Sequence, residues 1–321
     1  MISRTDVSMA LERGMRANFL MGERAYQPIR SGFVDETTSD GAFEQYGDMG
    51  AMPWPVQNGG GPAGTATDSR TGAQQVGSLH EGGPITVLGG NERSLVVYNQ
   101  DWEIPIGIYH SAIDDNRVGS LDQWARNAGA RFQQHMDAVC FAALNAGEGS
   151  TYGYGYDGKP FFSATHVDPG GQYQTAQDNQ YSLALSPDNF NTVYVAGASF
   201  LDDRGQPAGA FQNLLIHSVN LIRAASQITD NPNVAGTGNN DTNPYNGQIR
   251  RLHAPGGWLD STAWFLVNDI AGQRPIGLQI RQRPMLVTWD DHSGPGIRYY
   301  KWSARYTVFY RDWRNAVQGN S

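Results

Sequence analysis

Cysteine is almost missing from this sequence. Cys140 is the only one in 321 residues, which excludes an intrachain disulfide framework and a thiolate metal cluster. Placed inside a helical stretch, it reads as a small core hydrophobe in a chain suited to a reducing cytoplasm. Lysine is nearly as scarce: only Lys159 and Lys301 stand among 23 basic residues. The net charge is −8 and the tightest basic groupings are Arg250-Arg251 and Arg281 with Arg283. That excludes a nucleic-acid reader, which needs clustered cations to neutralise phosphates. The arginine bias suits bidentate ion pairs at protein interfaces, although genomic base composition produces the same bias. No apolar run approaches the roughly 20 residues that cross a bilayer. The N-terminus has no uninterrupted apolar core followed by a small-residue cleavage site, so no secretory signal is expected.

Recognisable active-site patterns are missing as well. None of the seven histidines pairs at H-x-x-H, HExxH or H-x-x-x-H spacing. Asp290-Asp291-His292 are neighbours in a strand and turn, and three adjacent residues there cannot converge on one ion. Gly59 to Gly64 resembles a phosphate loop but lacks the preceding strand, the following helix and the Lys-Ser/Thr pair. There is no G-x-S-x-G elbow. Asp114-Asp115 and Asp202-Asp203 are paired carboxylates in turns, where aspartate is expected on backbone grounds. Tryptophan and tyrosine could stack on sugars, but such residues more often fill cores and interfaces. No catalytic, cofactor-binding or metal-ligating residue is expected, and the chain does not read as an enzyme.

What is present is organised around residues 120–147. Leu121, Trp124, Ala128, Phe132, Met136, Val139 and Ala143 recur at spacings of three and four, which predicts one long amphipathic helix. Ser120 with Gln123 forms a capping box, Asp122 suits the first turn, and Asn145-Ala146-Gly147 offer a left-handed stop. At 1.5 Å per residue the helix is about 40 Å long. Residues 5–21 predict a shorter helix with Val7, Leu11, Met15 and Phe19 on one face, ending at Gly22. Its stripe fits either this chain's core or a neighbouring subunit.

Residues 38–92 hold 13 Gly and 4 Pro, a density typical of low complexity. Strand-like runs at Gln75–Leu79, Ile85–Leu88 and Ser94–Tyr98 survive within it. It is either a β-hairpin arm that must lie on something else or an undocked loop. Ser94 to Tyr109 predicts a strand leading, through an acidic turn, into the long helix. Beyond that helix, Ser186-Pro187 opens a helix to about Leu201. Phe211–His217 predicts a buried strand, and Ser218 caps a helix to about Ile228 with Val219, Ile222 and Ala225 or Ser226 on one side. Residues 229–247 form an Asn-rich loop. Further strands are expected at Gln248–His253, Ala263–Val267, Pro275–Arg283 and Arg298–Tyr310. The class is α+β.

The most specific string is Asp157-Gly158-Lys159-Pro160-Phe161-Phe162-Ser163-Ala164-Thr165-His166. It resembles the segment that follows the long helix in Mu-like phage major head subunits. The strand and acidic turn before the helix resemble that family too. So do Ser186-Pro187-Asp188-Asn189, the turn from Asp202 to Pro207, and the strand and helix after it. Asn243-Pro244 and Ala263-Trp264-Phe265 echo later landmarks, so the resemblance runs in order over roughly residues 90–270.

It implies the Hong Kong 97-type capsid fold. Residues 1–40 become an N-terminal arm, 41–95 an extended β-hairpin loop, and 96–150 a peripheral domain with spine helix 120–147. Residues 151–283 become an axial domain, and 284–321 the return strands of the peripheral domain with the C-terminus. The implied function is a major capsid protein that self-assembles into hexamers and pentamers of an icosahedral bacteriophage head, built in the bacterial host cytoplasm. The implied partners are other copies, a portal, scaffold or decoration proteins, and enclosed double-stranded DNA bound without sequence preference; no membrane is involved. Residues 38–92 contain no lysine, so the inter-subunit cross-link of some relatives is not carried over.

Two other readings remain. One keeps the fold as an encapsulin-like compartment. The other is a secreted carbohydrate-binding or carbohydrate-active protein, against which the missing signal and carboxylate pair count.

Overall fold

A computed structural model describes residues 4–48, 66–67, 74–75, 93–114, 121–234, 241–291, 293 and 296–320. The chain opens with α1 (Arg4–Ala25), β1 (Val34–Thr38) and β2 (Phe43–Asp48). The two-residue strands β3 (Ala66–Thr67) and β4 (Gln74–Gln75) follow, then β5 (Arg93–Tyr98), β6 (Gln100–Tyr109), α2 (His110–Asp114) and the long helix α3 (Leu121–Asn145). The second half contains β7 (Gln180–Tyr181), α4 (Pro187–Ala198), β8 (Leu214–His217), α5 (Ile222–Thr229), β9 (Arg250–His253) and β10 (Trp264–Val267). The hairpin β11 (Ile276–Asp291) and β12 (Ile297–Tyr310) precedes the last strand, β13 (Ala316–Gly319).

Two sheets carry the fold. Four strands lie in the order β1-β11-β12-β6, and five in the order β7-β13-β10-β8-β9. After the passage from β6 through α3 to β7, the chain crosses between them twice more, from β10 to β11 and from β12 to β13. The crossings are tied together: Asn268 N–H donates to Asn315 O at 2.9 Å, and Asn268 Nδ2 to Asn315 Oδ1 at 3.0 Å. Asp35 of β1 adds a charged clasp, accepting from Gly272 N–H at 3.0 Å and pairing with Arg274 and Arg311. One continuous hydrophobic core runs through both sheets and α3.

The long helix falls where its periodicity puts it, but more of its circumference is buried than one stripe. Ala125, Gly129, Gln133, Asp137, Cys140, Phe141 and Leu144 are buried beside the expected Leu121, Ala128, Phe132, Met136 and Ala143. Trp124 is not: it stands half exposed on the outer side. Ser120 lies outside the described residues, and Gln123 donates instead to Asn127 Oδ1 at 3.0 Å. Gly147 is not in the left-handed region. Its constraint is contact, since a Cβ there would lie 2.4 Å from the Phe162 ring.

The extra burial has a cause at the N-terminus. Helix α1 continues through Gly22 to Ala25 and lies parallel to α3 in the same chain. Arg126 Nη2 donates to Asn18 Oδ1 at 2.9 Å, Gln133 Nε2 to Glu23 Oε1 at 2.9 Å, and Tyr26 OH to Asp137 Oδ2 at 2.8 Å. Gly22 is therefore not a stop; it is where the backbones touch. The rung is closed by Arg30, whose Nη1 donates to Asp137 Oδ1 at 2.7 Å and Nη2 to Gln133 Oε1 at 3.0 Å. Burial works against the Arg30 charge, but its bonds and proximity to Asp137 and Glu36 more than offset this and raise its pKa. The leading segment is thus ordered against its own chain, not only against copies.

Other departures are local. Ser94–Tyr109 is two strands in different sheets, broken at Asn99, whose Nδ2 donates to Ser39 Oγ and Gly41 O at 3.0 Å. β2 pairs antiparallel with β5 from Phe43↔Tyr98 to Asp48↔Arg93, so the Gly-rich segment leaves and returns through a hairpin base. Residues 76–79 and Ile85–Leu88 lie outside the described residues. Ser186 caps α4 as expected, accepting from Asn189 N–H at 3.3 Å. Ser218 makes no side-chain cap bond, and Val219 and Ile222 face outward at 40% exposure. Phe211 is exposed and lies before β8, not in it. Strand β11 continues through residues 283 and 284, although its register with β12 shifts between Gln282 and Met285, and β13 joins the five-stranded sheet.

Candidate assembly surface

The sheet register collects apolar side chains on an uncovered face. Along β11, β12 and β6 the cross-strand rows are Met285–Ser303–Glu103, Val287–Lys301–Pro105 and Trp289–Tyr299–Gly107, ending at Ile297–Tyr109. Directly paired residues share a face, and alternate residues take the other. The opposite face (Leu286, Tyr300, Trp302, with Ile104 and Ile106) packs into the core. The outward one leaves Met285 50%, Val287 40%, Trp289 42% and Tyr109 55% exposed.

This face is ordered. Trp289 stacks on Tyr299 with centroids 5.0 Å apart, and Lys301 Nζ lies 5.8 Å from the Trp289 ring while pairing with Glu103 at 2.7 Å. A Cβ on Gly107 would meet the Tyr299 ring at 3.0 Å, so glycine lets that ring lie flat across the sheet. Scattered exposed hydrophobes mean little, but a contiguous patch marks an interaction site.

A second apolar surface lies on the hairpin base. Phe43 and Tyr98 are cross-strand partners, 5.5 Å apart and 50% and 67% exposed, with Val96 beside them. The reverse side docks on the four-stranded sheet: Tyr46 stacks on Phe309 at 4.6 Å and its OH donates to Gln279 Oε1 at 2.9 Å. Glu44 accepts backbone N–H bonds from Gly41 and Asp40 and a hydroxyl bond from Ser39, which hold its carboxyl below the usual range.

The 157–166 string is a structural knot. His166 is fully buried, with Nδ1 2.5 Å from Asp157 Oδ2, Nε2 3.0 Å from Asn179 Oδ1, and its ring stacked on Trp313 at 4.2 Å. Asn179 Nδ2 donates to the carbonyls of Phe161, Trp313 and Ala316 at 2.9, 3.2 and 3.2 Å. The knot ties the loop after α3 to the chain entering β13. Asn179 carries it, and nothing in its sequence setting marks it. A His–Asp pair with its nitrogens both engaged and its ring covered has no face for a substrate.

The carboxylates weighed as chemistry serve the backbone or ion pairs. Asp202 Oδ1 accepts from Arg204 and Gln206 N–H at 2.9 and 2.8 Å, and Asp203 is buried. Asp290 pairs with Arg298 at 2.9 Å and lies 3.3 Å from His110. His292 and Asp115 lie outside the described residues. Among the described residues no cluster of three or more His, Cys, Asp or Glu is placed to hold a metal, and no helix is long and apolar enough to cross a membrane.

Fold and surface together define the class: an α+β protein with the Hong Kong 97-type capsid fold. The chain is similar to the procapsid protein of bacteriophage JBD30 at 17% identity, covering 100% of this chain and 76% of that one, with a TM-score of 0.53. It is also similar to the capsid protein of cyanophage P-SCSP1u (10% identity, 92% and 89% covered, TM-score 0.54). A virus-like particle from Pyrococcus furiosus gives 8% identity, 96% and 98% covered and a TM-score of 0.51. More particularly, residues 86–183 match the family described as Mu-like prophage major head subunit gpT. That match contains β6, α3 and the 157–166 knot. No curated protein matches in sequence.

Proposed function

We propose that this chain is the major head subunit of a tailed phage, and that it assembles into hexamers and pentamers of an icosahedral shell around double-stranded DNA. The observation that carries this is the register-aligned apolar face, from Met285 to Tyr109, on a sheet whose other face supplies Leu286, Tyr300 and Trp302 to the core. In this reading α3 is the spine, and the four-stranded sheet with α1 forms the peripheral domain. The five-stranded sheet with α4, α5 and β13 forms the axial domain, so the C-terminal strand belongs to the axial side. The β2–β5 ribbon is the base of the extended loop. A portal, scaffold or decoration proteins complete the head, which is built in the host cytoplasm, and the subunit's work is mechanical.

The test is Val287→Asp with Trp289→Asp. Both side chains point outward, so the subunit should keep its secondary structure and melting behaviour while shells disappear from electron micrographs. Normal particles from this variant would remove the face from the assembly. Deleting residues 60–90 should likewise leave a soluble subunit that forms rings poorly and no stable shells. The likeness to the Pyrococcus furiosus particle concerns the fold, and the head-subunit match of residues 86–183 favours the phage reading. Purified particles holding protein and no double-stranded DNA would reverse that preference.

A further inference from the structure

The two sides of β6 differ. Its odd-numbered residues face the exposed sheet surface, while Trp102 and Ile104 turn toward α3. There they border a cleft of about 460 Å³, which Phe132, Ala138, Trp258 and Tyr306 also line. The aromatic wall is braced. Trp102 Nε1 donates to Tyr306 O at 3.0 Å, its ring packs on His135 at 4.4 Å, and His135 Nδ1 lies 2.6 Å from Tyr306 OH. Burial lowers the His135 pKa, so the imidazole is a neutral part of the wall.

One charge at this cleft is left uncompensated. Arg131 is exposed, bonds only Gln134 Oε1 at 3.0 Å, and has no ion pair among the described residues. Glu103 borders the cleft at the β6 edge, but its carboxylate lies on the outward side of the sheet, tied to Lys301 at 2.7 Å.

We propose that this cleft is a docking site for an extended segment of a partner protein that presents an aromatic side chain with a carboxylate beside it. The volume lies in the range of ligand pockets and admits one bulky aromatic anchor, the kind of side chain that dominates binding energy. Beside the neutral Gln134 and His135, and with Glu103 already paired to Lys301, the unpaired guanidinium selects an acid over a base. Strand addition to β6 is not the mode. Pro105 cannot donate a hydrogen bond from that edge and blunts it, so recognition works through side chains. The site lies on the reverse of the assembly face and does not depend on the shell reading.

The test uses the full chain as unassembled subunit and two tetrapeptide amides, acetyl-Gly-Trp-Asp-Gly and acetyl-Gly-Trp-Lys-Gly. The readout is the indole N–H resonances of Trp102 and Trp258. The acidic peptide should shift both saturably and bind about three- to five-fold tighter than the lysine peptide, the value of one exposed ion pair. Arg131→Glu should reverse that preference, and Ala138→Trp, which fills the cleft, should abolish both shifts. Where Ala138→Trp fails to fold, Arg131→Glu decides alone. Equal affinities, no saturable shift, or a preference unchanged by Arg131→Glu would overturn the proposal. So would concentration-dependent shifts without peptide, which place a second copy in the cleft, or equally tight binding of indole-3-acetate, which makes the ligand a small aromatic acid.

Discussion

The α1–α3 seam sets two elementary effects against each other, and alanine at Gly129 decides between them. Helix propensity alone says that Gly→Ala inside a helix gains about 1 kcal/mol. Packing says the reverse. A Cβ on Gly129 would lie 2.1 Å from Phe19 O and 2.8 Å from Glu23 N, and one on Gly22 would lie 1.8 Å from Arg126 O. Carbon and carbonyl oxygen in contact are about 3.3 Å apart, so the helices must separate by about 1.2 Å or more, and the obstructing atoms are backbone. A gap of that size forfeits a quarter to a half of each dispersion contact along the seam. Met15 and Phe19, at 0% and 3% exposure, hold roughly 1.5–3 kcal/mol each, and the Asp137 rung is pulled out of register with them.

The net expectation is a loss of about 1–3 kcal/mol for Gly129→Ala after the propensity gain is subtracted, and at least as much for Gly22→Ala. Gly14 is the internal control. A Cβ there meets only Asp122 Oδ1, at an ordinary 3.6 Å, so Gly14→Ala should stabilise by about 0.5–1 kcal/mol. Urea unfolding of the unassembled subunit gives the energies, and hydrogen exchange along α1 locates them. Gly129→Ala as stable as the parent, with unchanged protection in α1, would refute the close-contact account.

The remaining expectations concern buried polar groups. Arg30→Ala leaves the fully buried Asp137 carboxylate without its cation and should cost about 3–5 kcal/mol in urea unfolding, whereas Arg30→Met with Asp137→Leu should recover much of it. Asn179→Ala strands three carbonyls and the His166 ring nitrogen, so a loss of about 3 kcal/mol is expected, with Trp313 fluorescence reporting the loosened knot. His217 is buried, its Nδ1–H donates to Ser218 O at 2.8 Å, and burial chiefly lowers its pKa from the ordinary 6.5. The unfolded chain then binds the proton more readily. The contribution of His217 is complete above about pH 6.5 and declines as pH falls through that value toward the lower folded-state pKa. The urea midpoint should drop between pH 7.5 and 5.5, less so in His217→Gln, and a flat profile would contradict the assignment.

Much of the architecture was legible in the chain because it is written in local periodicity. The spacing of Leu121 through Ala143 gives α3, the Ser186-Pro187 cap gives α4, and the apolar runs give β8, β10, β11 and β12. The short polar strand β1 was not legible, nor was β13. Val34–Thr38 reads VDETT and finds its place only by pairing in parallel with Ile276–Ile280. Ala316–Gly319 is buried by neighbours far away in the chain. Trp124 followed the stripe by spacing and still points outward, because the side of α3 that needed cover was taken by α1.

The assembly surface divides the same way. Residues 285–289 lie beyond the strand expected at Pro275–Arg283, and Met285, Leu286, Val287 and Trp289 show no alternation that would tell one side from the other. Only the register of β6, β11 and β12 decides which set is buried and which remains open. The string at 157–166 carries the resemblance to Mu-like head subunits in the sequence, yet its role as a knot depends on Asn179 and Trp313, which reach it through folding alone. The sequence by itself determined that α1, α3, α4 and α5 form and that the class is α+β, since these follow from nearest neighbours along the chain. Tertiary structure alone decided which glycines touch backbone, which charges are buried in pairs and which apolar face stays uncovered, because these depend on residues distant in the chain, such as Gly22 and Arg126 or Arg30 and Asp137, meeting at contact distance.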